Sequence, residues 1–170
     1  KLNHFQNKDF LSLFLFFLIM RLIFAYFLPL GVDEAYQITI GREFDWSYYD
    51  HPPLSFWLPR IVANIVGLES ILIYRLPSII FGSITIYALY GIGLQICGKA
   101  TALWSALLYC ISPFFFFSGG TFVLPDAILN ASICMTLYLF LKSQDAKSYY
   151  NLKLIMVGFW LALSFLSKYH

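Results

Sequence analysis

The chain has 170 residues, of which 60% are hydrophobic and only 12% are charged, and its formal net charge is +2. Soluble domains carry about 45–50% apolar and about 25% charged residues, so this composition excludes a soluble core and indicates a membrane protein with the lipid bilayer as its partner. The net charge is small, and no basic run is interleaved with aromatic residues, which excludes nucleic acid as a partner.

Five apolar segments predict an all-α fold, a bundle of transmembrane helices in one domain over residues 1–170. They cover residues 10–30, 71–96, 101–117, 127–141 and 154–166. The first is long enough to cross the roughly 30 Å hydrocarbon layer as a helix. A signal peptide is the alternative for this segment, but no A-x-A-like cleavage site follows it. Arg21 falls inside it, where we expect the charge to pair within the bundle.

The lysines of the short connections predict the orientation of the bundle. They all fall on one side when five spans are drawn, and they are Lys1, Lys8, Lys99, Lys142, Lys147 and Lys153. Basic residues are retained on the cytoplasmic side of a membrane. We therefore expect a multi-pass protein of the cytoplasmic (inner) membrane whose long loop, residues 31–69, is extracytoplasmic.

The first half of that loop holds most of the polar chemistry, since residues 31–57 contain five of the nine acidic residues. Val32, Tyr36 and Ile40 recur every four positions, which predicts a short amphipathic helix with Gln37 facing water. Asp33 stands where the N-cap of this helix belongs. Carboxylates concentrated between two spans indicate chemistry, or a cation, at the membrane surface.

A second apolar stripe follows the adjacent prolines Pro52 and Pro53 and ends near Gly67. It predicts another short amphipathic helix, lying on the membrane interface, and comprises Leu54, Trp57, Leu58, Ile61, Val62 and Ile65. Asp50 and His51 precede this helix. They offer oxygen and nitrogen ligands for a divalent cation, or His51 donates to a phosphate held at the start of the helix.

Several stretches of the loop together resemble a known family. Asp33-Glu34-Ala35-Tyr36, Asp45-Trp46 and Tyr48-Tyr49-Asp50-His51-Pro52-Pro53-Leu54 are similar to the first extracytoplasmic loop of GT-C-fold membrane glycosyltransferases. The resemblance is to the bacterial members of the dolichyl-phosphate-mannose–protein mannosyltransferase-like superfamily. These include lipid A aminoarabinose transferases and rhizobial lipopolysaccharide glycosyltransferases. The similarity continues through Leu124-Pro125-Asp126 to Ser167-Lys168-Tyr169-His170, and we expect the chain to be the N-terminal part of a longer enzyme.

The resemblance implies roles for individual residues. Asp33 matches the family's catalytic base, and Glu34 would orient the acceptor or tune Asp33. Asp50 matches the acidic residue that holds a metal in the aminoarabinose transferases, and His51, a further candidate ligand, stands where that subgroup has the lysine that meets the lipid phosphate. Asp126 would support the site from a second acidic position or cap the fourth span. The residues expected to contact the sugar and the lipid phosphate are Tyr36, Tyr48, Tyr49, His51, Lys168 and His170.

The predicted function is that of an inverting glycosyltransferase. It would move a sugar from a polyprenyl-phosphate donor to a cell-envelope acceptor, which is a lipid, a polysaccharide or a protein. A divalent metal ion is the one candidate cofactor. The alternative is a transporter or flippase in which the acidic loop forms a gate. Transporters place polar residues on broken helices at the bilayer midplane, whereas these carboxylates lie at the interface, which favours the enzyme.

Overall fold

The computed structural model describes residues 8–144 and 150–169, and this part of the chain contains helices and no strands. The all-α prediction is therefore confirmed. The elements are α1 (Lys8–Phe27), α2 (Val32–Ile40), α3 (Leu54–Val66), α4 (Ile71–Ile96), α5 (Lys99–Ile111), α6 (Pro113–Phe117), α7 (Pro125–Gln144) and α8 (Tyr150–Ser167). Lys1, Lys147 and His170, which were assigned roles from the sequence, lie outside the described residues.

Two of the described helices, α1 and α4, are long and apolar enough to cross a membrane. At a rise of 1.5 Å per residue, the 26 residues of α4 extend about 39 Å, more than the thickness of the hydrocarbon layer. Helices α7 and α8 form where the fourth and fifth apolar segments predict helices. Helix α7 packs against both α4 and α8. The number of membrane crossings stays a prediction.

The third predicted segment, residues 101–117, is not one helix, and this corrects the sequence interpretation. Helix α5 ends at Ile111, and α6 begins at Pro113 after Ser112, whose backbone is extended (φ −68°, ψ 119°). A proline has no N–H to donate and disfavours helical backbone in the residue before it, so the chain breaks at this point. From Ser118 the chain stays outside regular helix until Pro125.

Helix α3 confirms the second predicted amphipathic helix. It ends at Gly67, which takes the left-handed conformation (φ 71°) that glycine adopts without steric cost. The C-terminal part of its predicted apolar stripe faces outwards, with Ile65 79% exposed, and the N-terminal part is half-buried, whereas Phe56 and Ala63 are buried against the bundle. An outward apolar face suits a helix that lies at a membrane interface.

Helix α2 forms as predicted, but it faces the other way. Its apolar Val32 is 87% exposed, whereas Glu34 and Gln37 are buried, although Gln37 was expected to face water. The N-cap is Gly31 rather than Asp33, which lies in the first turn of the helix. A buried ionic partner for Glu34, described below, turns the polar face inwards.

Arg21 is fully buried, as expected for a charge within an apolar span, but no acidic side chain among residues 8–144 and 150–169 pairs with it. Its guanidinium carbon lies 5.7 Å from the ring centre of Tyr109 and 5.5 Å from that of Phe116. Gly82 and Gly120 approach the guanidinium so closely that neither position has room for a side chain. Aromatic rings therefore supply the electrostatic stabilisation that an ion pair was expected to give.

Four lysines gather at one end of the bundle, here called the basic end. The Lys99 Nζ atom lies 2.6 Å from Asp9 Oδ2, which places the start of α5 beside Lys8 and the start of α1. The Lys153 Nζ atom donates to the backbone oxygen of Lys142 at 3.3 Å, which joins the end of α7 to the start of α8. The alternating directions of these helices bring the lysines to one end of the bundle, and the side of the membrane that this end faces stays a prediction.

Candidate active site

A buried ion pair organises the end of the bundle opposite the basic end. Both Glu34 on α2 and Arg75 on α4 are fully buried. Arg75 donates hydrogen bonds to the Glu34 carboxylate from two nitrogens, from Nε to Oε1 at 2.8 Å and from Nη2 to Oε2 at 2.5 Å. A two-point contact of this kind fixes the orientation of both side chains, and charge-assisted hydrogen bonds are stronger than neutral ones.

The remaining donors of Arg75 bind the chain that leaves α1. Nη1 donates to the backbone oxygens of Ala25 at 3.0 Å and Leu28 at 2.9 Å, and Nη2 donates to that of Pro29 at 2.9 Å. The last carbonyls of a helix have no partner within the helix. Arg75 therefore caps the end of α1 while it holds the carboxylate at the start of α2.

The Glu34 carboxylate also accepts two backbone hydrogen bonds. One comes from the N–H of Gly31, the N-cap of α2, at 3.0 Å, and the other from the N–H of Val123 at 2.9 Å. Val123 precedes the start of α7, where Asp126 lies. One ion pair thus connects the end of α1, the first turn of α2 and the segment that leads to Asp126.

Asp33 is next to Glu34 in the sequence, but its side chain has a different environment. Its side chain is exposed, and within the described residues it has no ion pair or hydrogen bond. Tyr36 lies three residues further along α2, so both side chains emerge from the same face of the helix. The fold therefore presents an unpaired carboxylate on a helical turn whose backbone is held in place by the buried Glu34–Arg75 pair.

A hydrogen bond joins Asp50 to this face of α2, because the Tyr36 hydroxyl donates to Asp50 Oδ1 at 2.9 Å. This hydrogen bond raises the pKa of Tyr36 above its usual value, because loss of the proton would place two negative charges together. His51 follows, with Nε2 3.9 Å from Asp50 Oδ2. The structure thus brings Tyr36, Asp50 and His51 together on the side of α2 that carries Asp33.

The described residues supply only part of a metal site. Asp50 and His51 offer two ligands, and no group of three or more His, Cys, Asp or Glu residues that would hold a metal occurs within residues 8–144 and 150–169. Divalent cations take four or more ligands. Asp50 and His51 therefore supply two of the ligands that a divalent cation needs, and metal dependence stays a prediction.

The adjacent tyrosines Tyr48 and Tyr49 differ in environment. Tyr48 stacks on Phe56 with ring centres 4.0 Å apart, and its hydroxyl donates to the backbone oxygen of Glu43 at 2.6 Å. Tyr49 is fully exposed. Tyr48 is therefore held by the loop itself, whereas the ring of Tyr49 is open to a substrate or to lipid headgroups.

The second predicted acidic position also has a partner. Asp126, in the first turn of α7, accepts from the Ser118 hydroxyl at 2.7 Å and lies 2.8 Å from Lys168 Nζ. The Ser47 and Tyr169 hydroxyls are 2.6 Å apart, so the end of α8 also touches the loop. Lys168, expected to contact a lipid phosphate, is instead paired with Asp126 in this structure.

Sequence reasoning missed the role of Arg75. The available signal was a charge within an otherwise apolar helix, where an unpaired charge is costly and a buried partner is required. Its partner is 41 positions away in the chain. No local pattern points to that pairing.

Comparison with known protein families gives a match to most of the chain. Residues 50–170, more than half of the chain, match the family described as dolichyl-phosphate-mannose-protein mannosyltransferase. The chain belongs to this family. No curated protein and no solved structure matches it.

Membership of the mannosyltransferase family makes the protein a membrane glycosyltransferase of the GT-C type. The matched region includes Asp50, His51, Arg75 and Asp126. Asp33 lies before its start, so the assignment of Asp33 rests on the sequence resemblance and on the geometry of the first turn of α2.

Proposed function

We propose that the protein transfers a sugar, with inversion, from a polyprenyl-phosphate donor to a cell-envelope acceptor at the outer face of the cytoplasmic membrane. The observation that carries this proposal is the exposed Asp33 carboxylate on a turn fixed by the buried Glu34–Arg75 pair. A base that must meet a membrane-bound donor needs an open carboxylate on a rigid support, and this arrangement supplies both.

In the proposed mechanism, Asp33 takes the proton from an acceptor hydroxyl as that oxygen attacks the anomeric carbon. The bond between the anomeric carbon and the phosphate oxygen breaks, and the lipid phosphate leaves with the electron pair. The new bond forms on the opposite face, so the configuration inverts. A carboxylate is a weak base for an alcohol, and the main contribution of Asp33 is therefore correct placement of the hydroxyl.

Some of the other predicted residues contact the substrate, and the rest hold the site in place. We propose that His51 and Tyr49 contact the sugar phosphate; His51 lies beside Asp50 in the loop, and the side chain of Tyr49 is fully exposed. Glu34 acts as a positioning residue, because both of its oxygens are engaged by Arg75 and by backbone N–H groups. The Asp126–Lys168 pair supports the site from α7 and α8.

The test uses the complete protein in membranes and a panel of radiolabelled polyprenyl-phosphate sugars. We expect Asp33→Asn, which keeps the size of the side chain, to lower transfer by roughly 100-fold or more, since roughly 100-fold is the lower end of the range for a general base. Glu43→Gln is the matched control, because Glu43 is another exposed carboxylate of the same loop. It should leave transfer unchanged.

Equal transfer by wild type and Asp33→Asn would remove Asp33 from the mechanism and leave the family activity intact. Absence of transfer from every donor by folded wild-type protein, together with lipid or solute transport in vesicles, would overturn the proposed function. Thermal stability of each variant is measured in parallel, so that loss of activity is separated from loss of fold.

A further inference from the structure

An apolar groove is lined by side chains of α1, α4, α7 and α8. It has a volume of about 550 Å³. Nearly all of its lining is hydrocarbon or aromatic, and includes Phe14, Leu18, Ile80, Ile84, Met135 and Trp160. No residue of the candidate active site lines it.

The shape of the groove suits an extended hydrocarbon chain. Along α4 the lining runs from Ile79 to Tyr87, which is about 12 Å at the helical rise of 1.5 Å per residue. Ile80 is 55% exposed at the groove surface. A membrane lipid aligned with α4 would place an acyl chain along these residues.

A polar path leads from the groove to the basic end. Tyr87 lines the groove, and its ring contacts that of Tyr138 with centres 5.7 Å apart. The Lys142 Nζ atom donates to the Tyr138 hydroxyl at 3.2 Å and lies 5.2 Å from the centre of that ring. The lysine side chain therefore reaches back along α7 towards the groove instead of extending away from it.

A second lysine, Lys153, contacts the end of α7 at the residue that carries the first ammonium group. The Lys153 Nζ atom donates to the Lys142 backbone oxygen at 3.3 Å, which brings both ammonium-bearing side chains to the junction of α7 and α8. Neither of them has an acidic partner among the described residues, whereas Lys99 at the same end is paired with Asp9. Basic pockets between membrane helices bind anionic lipid headgroups.

We propose that this groove is a binding site for an anionic phospholipid of the leaflet at the basic end. One acyl chain lies in the apolar groove, and Lys142 and Lys153 bind the headgroup phosphate. Charge complementarity selects an anionic headgroup over a zwitterionic one, and the length and apolar lining of the groove select an acyl chain over a polar ligand. The proposal is independent of sugar transfer and of Asp33.

The first test measures the complete wild-type protein in detergent with phosphatidylglycerol or phosphatidylcholine of identical acyl chains. Thermal unfolding and native mass spectrometry report stabilisation and bound lipid. We expect phosphatidylglycerol to bind at least tenfold more tightly. Equal binding of the two lipids by the wild-type protein would overturn the proposal without recourse to any variant.

Three variants locate the site. Lys142→Ala combined with Lys153→Ala should reduce the preference for phosphatidylglycerol by roughly 10- to 30-fold, because each basic residue near a membrane surface contributes about fivefold. Lys99→Ala removes a lysine from the same end and should change the preference little. Ile80→Trp fills the groove and should weaken the binding of both lipids.

A photoreactive group on the acyl chain of phosphatidylglycerol gives an independent readout of position. Cross-linked peptides from α4 and α8 that include the groove lining would support the proposal. It would be overturned by cross-links confined to other surfaces, by an equal effect of Lys99→Ala, or by cross-linking that shows a later segment of the protein or a second copy in the groove.

Discussion

Replacement of Arg75 by methionine tests whether the Glu34–Arg75 pair holds the end of the bundle together. Arg75 donates five hydrogen bonds, two to Glu34 and three to backbone oxygens at the end of α1. Its loss leaves a buried carboxylate without a countercharge. Removal of one partner of a buried ion pair costs about 3–5 kcal/mol. Two backbone N–H donors remain on Glu34, so we expect about 3 kcal/mol, the lower end of that range.

A loss of this size lowers the ratio of folded to unfolded protein by roughly 100-fold. The assay is thermal or denaturant unfolding of the complete protein in detergent, with Arg60→Met as the matched control. Arg60 also binds a carboxylate, that of Glu69 at 2.5 Å, but Glu69 is half exposed, and exposed pairs contribute little. Arg75→Met should therefore be much more destabilising than Arg60→Met.

The double variant Glu34→Leu with Arg75→Met separates the two causes of that loss. It leaves no buried charge, and apolar replacement of a buried pair is frequently neutral or stabilising. We expect it to be more stable than Arg75→Met alone. Equal stability of Arg75→Met and Arg60→Met, or a double variant less stable than the single one, would refute the reasoning.

Two further predictions concern packing and pH. Gly82→Ala should destabilise the protein by about 1–3 kcal/mol through overpacking, because the added Cβ would lie 2.5 Å from Gly120 Cα, whereas Gly158→Ala, with no atom within 4 Å, should be neutral or stabilising in the same unfolding assay. The hydrogen bond from Arg60 holds the pKa of Glu69 below its usual value of 4.5, so its stabilising effect is present above that pH and is lost as the pH falls through the lowered pKa. The difference in stability between wild type and Glu69→Gln should therefore shrink in acid, and a difference that grows as the pH falls would contradict this assignment.

The sequence by itself determines the composition of the bundle and the positions of most helices. Helix α4 spans residues 71–96 as predicted, because a long apolar run in a membrane forms a helix that satisfies its own backbone. The end of α3 at Gly67 was also predictable, since glycine takes the left-handed backbone that terminates a helix. The Asp33–Glu34 pair and the Asp50–His51 pair were found from their residue types and spacing.

Only the tertiary structure decides which face of α2 is buried and which of its carboxylates is free. The periodicity of Val32, Tyr36 and Ile40 predicts an inward apolar face, but Arg75, distant in the sequence, draws Glu34 into the interior. The physical reason is a difference in free-energy cost. A buried charge without a countercharge is strongly destabilising, whereas three exposed apolar side chains on a short helix cost little, because the membrane interface accommodates them. Sequence spacing cannot encode that choice, because it depends on a partner from another helix.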